Sequence, residues 1–121
     1  MDRDKLAGVL DLKIALSHVD GDSDLLSELA AIFVQDYPRL IEEARDSILK
    51  NDCSGFERAA HTLKGRLAFF GITKLRDQLL SLERMGRDRD MTRAAEGLAE
   101  IENEMEHVLA EFKSLIPEQS P

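Results

Sequence analysis

The sequence predicts an all-α fold: an antiparallel four-helix bundle preceded by a short extra N-terminal helix. Three observations predict it. The chain holds only seven Gly, three Pro, five Phe and one Tyr among 121 residues, and is rich in Leu, Ala, Glu and Arg. Those residues favour helix strongly. Apolar positions recur with the helical period over long stretches, and no segment alternates with period two for long enough to form a strand. The breaks between the periodic stretches are short, which makes consecutive helices antiparallel neighbours.

The first helix is expected over about Asp11 to His18, with Leu12, Leu16 and Val19 on one side. Asp20-Gly21-Asp22 ends it and starts the next. The second carries a stripe at Leu26, Leu29, Phe33, Tyr37, Leu40, Ala44 and Ile48. Pro38 should break a helix. The stripe keeps its phase through Pro38, so one long kinked helix is expected, closed by Asn51-Asp52. The third begins at the capping-box pattern Ser54-Gly55-Phe56-Glu57. Its stripe is Phe56, Ala60, Leu63, Leu67 and Phe70, and Gly71 stops it. The fourth carries Ile72, Leu75, Leu79 and Leu82 and ends near Gly86. The fifth starts at Asp88 or Asp90, with Met91, Ala94, Leu98, Ile101, Met105, Val108, Phe112 and Leu115 in a heptad rhythm suited to bundle packing.

No repeat, low-complexity tract or linker interrupts this pattern. One domain over residues 1–116 is expected, with 117–121 a disordered tail. Met1 and the closed bundle favour a free-standing protein. With 16 basic and 24 acidic side chains the formal net charge is −8. That balance disfavours nucleic acid, whose binders neutralise phosphates, and anionic membrane surfaces. The longest apolar run, Leu29 to Val34, is far short of the roughly 20 residues that span a bilayer. The acidic start shows no signal peptide. A lone Cys53 excludes an internal disulfide framework and suits a reducing cytoplasm, the expected location.

The charge is uneven. Residues 58–93 hold nine basic and four acidic side chains, a local +5 that leaves −13 for the rest. The third and fourth helices therefore form a basic hairpin on an acidic body. This is either an ordinary solvated face or a site that receives an anion.

Three histidines are present. His18 ends the first helix, where a structural role is expected. His107 lies off its helix's stripe. Glu104-Met105-Glu106-His107 has the spacing used in di-iron bundles, but those need two such motifs, and neither other histidine supplies one. No spacing suggests another metal. His61 differs. It stands one residue past Ala60, on the shoulder of the apolar stripe. Lys64 and Gly65 follow at i+3 and i+4 and share its face, so the lysine can reach an anion on the imidazole. A mid-helix glycine costs about 1 kcal/mol relative to alanine, and close approach of another group beside His61 would justify Gly65.

Pairing the two stripes as a hairpin brings Phe70 to Ile72, Leu67 to Leu75, Leu63 to Leu79 and Ala60 to Leu82. In that register His61 is level with Ser81, and Glu83 lies about 3 Å further along the axis. A carboxylate there would accept from Nδ1–H, fix the tautomer and aim Nε2 outward. A plain surface His–Glu pair, worth little, is the competing reading on these residues alone.

The segment Ala59-Ala60-His61-Thr62-Leu63-Lys64-Gly65, followed by Gly71, resembles the signature of histidine-containing phosphotransfer (HPt) domains. The likeness spans nearly the whole chain. Asp22 to Leu29 with Phe33 and Asp36-Tyr37-Pro38 looks like the family's long second helix, and Leu79 to Glu83 like its fourth. The resemblance implies that His61 is the phosphoacceptor, that Lys64 neutralises phosphoryl oxygens and that Gly65 clears space for a partner. It implies that Glu83 orients the imidazole. Arg87, one turn on, and Arg66 are possible phosphate or partner contacts. Small or hydroxyl residues are common after Gly65 in the family, whereas Arg66, Leu67 and Ala68 stand here. Phe69 is bulky as well.

The resemblance implies a phosphorelay carrier that passes a phosphoryl group between a histidine kinase or receiver aspartate and another receiver aspartate. No Walker loop or kinase-type glycine-rich loop occurs in the sequence, so no nucleotide chemistry or cofactor of its own is expected. Mg²⁺ is expected in the partner receiver domain. The protein should act as a monomer. The alternative is a helical adaptor that binds and regulates a kinase or receiver without being phosphorylated.

Overall fold

Local side-chain chemistry marks the first three helix starts in the computed structural model, which describes residues 11–116. The Asp11 carboxylate accepts from the amides of Lys13 and Ile14 and opens α1, Leu12–Ser17. Asp22 accepts from the Leu25 amide and opens α2, Ser23–Leu49. Asp52 accepts from the Gly55 amide at 2.9 Å and opens α3, Cys53–Phe69. Each cap satisfies a donor that the first turn would leave unpaired. The helices α4, Thr73–Arg87, and α5, Ala94–Leu115, have no side-chain cap. No strand occurs among the described residues.

The long helix runs unbroken through Pro38, which is exposed. Three expectations are corrected. Ser54 does not cap α3, because Asp52, two residues earlier, already takes the Gly55 amide. Leu12 is 47% exposed, and Ala15 replaces it on the inner side of α1. The start of α5 falls at Ala94 rather than Asp88 or Asp90. There Asp90 accepts from both the amide and the hydroxyl of Thr92 and holds a turn, with Arg89 in the left-handed region at φ +60°. Side chains of this kind offer the backbone an alternative to helix. The tail expected at 117–121 lies outside the described residues.

The helices α2, α3, α4 and α5 pack in a ring, each against the next and α5 back against α2. Each inward stripe is buried, with Phe33, Phe56, Leu63, Leu67, Leu79, Ile101 and Phe112 among the least accessible side chains. Phe112 meets Phe33 edge-on at 5.0 Å between centroids and lies 4.5 Å from Phe70, tying α5 to α2 and to the end of α3. Aromatic pairs at this spacing add to area burial.

The hairpin of α3 and α4 follows the expected register. Ala60, Leu63, Leu67, Phe70, Ile72, Leu75, Leu79 and Leu82 are all buried. Gly71 turns the chain at φ +77°, a conformation that costs glycine nothing. At the other end, a Cβ on Gly86 would lie 2.7 Å from the Cys53 carbonyl oxygen and the Glu57 nitrogen. The two backbones therefore touch there, which draws the last turn of α4 against the first turns of α3. No helix is long and apolar enough to cross a membrane among the described residues.

Candidate functional site

His61 stands on the outer face of α3, its side chain 66% exposed, while Glu83 on α4 is 5% exposed. With Nδ1 protonated, the ring donates to Glu83 Oε2 at 3.0 Å. Anchoring one nitrogen against a buried group leaves the other, Nε2, on the solvent side. The tautomer is thereby set by the carboxylate.

A carboxylate buried this deeply needs partners, since an unpaired buried charge is costly. Glu83 has three. Lys64 Nζ lies 2.7 Å from Oε1 as an ion pair. His61 Nδ1 and Arg87 Nη2 both lie on Oε2, at 3.0 and 3.1 Å. Burial pushes the Glu83 carboxyl up, but Lys64 and His61 outweigh it and hold it below the usual range. The carboxylate is thus ionised while shielded from water.

Arg87 reaches further. Its Nε donates to Glu57 Oε2 at 3.2 Å. Glu57 and His61 are one turn apart on α3, and Glu83 and Arg87 one turn apart on α4. The four side chains form a chain of contacts across the line where Gly86 lets the helices touch. Glu57 was not singled out from the sequence. Its spacing from His61, one helical turn, was the available signal.

The other residues expected at the site are placed as follows. Gly65 is exposed, and a Cβ there would meet nothing within 4 Å. Among the described residues nothing packs against it, so the space beside His61 stays open. Arg66 lies apart from the His61–Glu83 pair. Its Nη1 donates to Asp36 Oδ2 on α2 at 3.1 Å. Asp36 also pairs with Arg39, and Arg39 and then Arg66 hold its carboxyl below the usual range. Phe69 is half-buried and stacks on His18 at 5.0 Å between centroids, and His18 Nδ1 lies 2.8 Å from the Phe69 carbonyl oxygen. His18 is therefore a clasp between α1 and the end of α3. A shallow groove between α2 and α3 runs past His61, lined by Leu29, Ile32, Asp36, Gly65 and Phe69. Ile32 is 56% exposed.

The +5 of the hairpin is partly neutralised by carboxylates from elsewhere. Arg66 pairs with Asp36, Lys74 with Glu104, Arg87 with Glu57 and Arg93 with Glu96. Among the described residues, Arg58, Arg84 and Arg89 make no ion pair.

Comparison with known proteins identifies the family and the fold. A family model described as Hpt domain matches residues 28–111. The fold resembles the crystal structure of histidine-containing phosphotransfer protein B (HptB) from Pseudomonas aeruginosa PAO1, with a TM-score of 0.82 and 24% identity. The match covers 89% of this chain and 94% of that one. No curated protein sequence matches significantly.

Proposed function

Because the chain belongs to the Hpt domain family of histidine phosphotransfer proteins in phosphorelay signalling, we propose that His61 is the residue that carries the phosphoryl group. One observation carries this reading. The His61 ring is anchored through Nδ1 on an ionised, buried carboxylate and is open at Nε2. A nucleophilic nitrogen needs that arrangement: a fixed tautomer, a lone pair aimed at solvent and room for the phosphorus centre.

Family members interact with histidine kinases and receiver domains, and the phosphoryl donor is taken to be an aspartyl phosphate of a receiver. The Nε2 lone pair attacks phosphorus in line. The N–P bond forms as the acyl P–O bond breaks, and the partner's aspartate leaves as carboxylate. Nδ1 keeps its proton throughout, and the positive charge that develops on the ring faces Glu83. Positioning and charge stabilisation supply most of the catalysis in such transfers. Mg²⁺ in the receiver's acidic pocket neutralises charge on the transferring group when bound. Transfer in the other direction retraces these steps.

The remaining residues have distinct tasks in this reading. Glu83 orients the imidazole. Lys64 keeps Glu83 ionised and sets its charge beside the phosphoryl oxygens. Gly65 leaves the outer surface of α3 low enough for a receiver to bring its aspartate to Nε2. Arg87 steadies Glu83 from the α4 side. Arg66 belongs to the rim of the groove with Asp36, where it meets the partner rather than the phosphate. The protein takes its phosphoryl group from a partner without using ATP, works in the cytoplasm and acts as a monomer.

The test is direct. The protein is mixed with a phosphorylated receiver and Mg²⁺, and an acid-labile, base-stable label is sought. Wild type should take it up and His61→Gln should not. Full labelling of His61→Gln would remove the assignment. Failure of wild type to take label from any receiver or kinase tried favours the unphosphorylated adaptor.

A further inference from the structure

In the unphosphorylated protein, the cations nearest His61 on the sequence pattern are already committed to carboxylates. Lys64 faces Glu83, Arg87 bridges Glu83 and Glu57, and Arg66 is held by Asp36. A dianionic phosphoryl group on Nε2 would arrive beside Glu57 and Glu83, both acids. Lys64 cannot turn wholly to the phosphate without leaving Glu83 Oε1 with no donor. Leaving a buried oxygen bare is expensive. The phosphorylated state therefore calls for a cation with no competing partner.

Resting on His61 as the acceptor, we propose that Arg58 binds the phosphoryl group on His61. Arg58 precedes His61 by three residues, so the two side chains share a face of α3. Helical side chains tilt towards the N-terminus, which leans the imidazole over the turn that bears Glu57 and Arg58. The groove on that side is lined by Ser54, Glu57, Arg58, His61 and Glu83. Arg58 also borders the next groove, with Ala59 and Thr62. It stands between the two on the outer surface, about one turn along α3 from the exposed imidazole. Arg58 is exposed and makes no ion pair or side-chain hydrogen bond among the described residues. The other two arginines without ion pairs do not border either groove beside His61: Arg84 points outward from α4 and Arg89 sits in the turn before α5.

A guanidinium suits the task. Its planar fork meets two phosphoryl oxygens at once, and it stays charged at every working pH. The long side chain lets Arg58 reach the group after transfer without blocking a partner's approach over Gly65. In this arrangement labour is divided. Lys64 is shared between Glu83 and the phosphoryl oxygens, Arg87 serves the carboxylate that orients the ring, and Arg58 serves the phosphate alone.

The phosphoryl group's own titration tests this. Wild type, Arg58→Ala, Arg58→Lys, Lys64→Ala, Lys113→Ala and His61→Gln are phosphorylated with potassium phosphoramidate. The ³¹P resonance is then followed against pH. A guanidinium beside the phosphoryl group lowers the pH at which it takes up its proton. Arg58→Ala should raise that midpoint by about 0.5 unit or more, with Arg58→Lys between the two. Lys113→Ala removes an equal charge from the last turn of α5 and should leave the midpoint in place. An unmoved midpoint in Arg58→Ala, with His61 still labelled, overturns the proposal. So does a midpoint that moves in Lys64→Ala alone. Full labelling of His61→Gln instead overturns the acceptor assignment, and the Arg58 proposal with it.

Discussion

The chemistry of the site turns on one oxygen. Glu83 Oε2 accepts from His61 Nδ1 at 3.0 Å and from Arg87 Nη2 at 3.1 Å. Removing the carboxylate takes away the imidazole's anchor and leaves Lys64 without its ion-pair partner. Glu83→Ala should keep the helical circular dichroism of wild type and slow phosphoryl uptake by about ten- to a hundred-fold. Glu83→Gln keeps an acceptor without the charge and should lose less. An unchanged rate in the alanine variant would end the orienting role. His61, Lys64 and Gly65 were legible in the sequence because they share one helix, where spacing alone sets the face. Glu83 was legible because the hairpin turn at Gly71 fixes the register of α3 against α4. What Lys64 does in the resting protein was less so. Spacing put it beside His61, but only the structure shows Glu83 claiming it at 2.7 Å. Arg66 stayed open between phosphate and partner contact for a similar reason. Its partner Asp36 lies on α2, and how far α2 is rotated relative to α3 is written in neither stripe.

At the scale of the elements, two glycines in the hairpin have opposite surroundings. A Cβ on Gly86 would sit 2.7 Å from backbone atoms of α3, whereas one on Gly65 would meet nothing within 4 Å. Gly86→Ala should therefore push α4 off α3 and destabilise the fold by about 1–3 kcal/mol. Gly65→Ala should stabilise it by about 0.5–1 kcal/mol, since alanine is the better helix former. Urea unfolding of the two variants measures the contrast, and equal signs would contradict it. Gly65→Ala should nonetheless slow transfer from a receiver, because the added methyl stands where the partner must approach. Helix existence and order were readable from periodicity, even through Pro38, because the stripe stayed in phase on both sides. The start of α5 was not readable. Met91 continues the apolar rhythm, but the Asp90 side chain ties the Thr92 amide and hydroxyl into a turn. The cap of α3 was misplaced because Asp52 and Ser54 both precede the apolar run, and only one of them can take the first free amide.

Across the whole molecule, the net charge of −8 conceals how the charges are spent. The basic hairpin exists in sequence, yet acids from α2, α3 and α5 pair with four of its nine cations. What remains near His61 is a small set of groups with separate duties, on a bundle whose core holds them still. The size of the chain fits the same picture. The family match over residues 28–111 takes up most of its 121 residues, and the described helices form one bundle around one core. In the proposed reading, the bundle presents His61 as the nucleophile and a partner delivers the phosphate. The central claim is that His61 is held by Nδ1 and accepts phosphate at Nε2. Long-range ¹H–¹⁵N correlation of the imidazole, before and after phosphorylation, tests it most directly. The resting ring should show Nδ1 protonated and Nε2 bare, and the phosphorylated ring should carry phosphorus on Nε2 with Nδ1 still protonated. Phosphorus on Nδ1, or on any residue other than His61, would contradict the account.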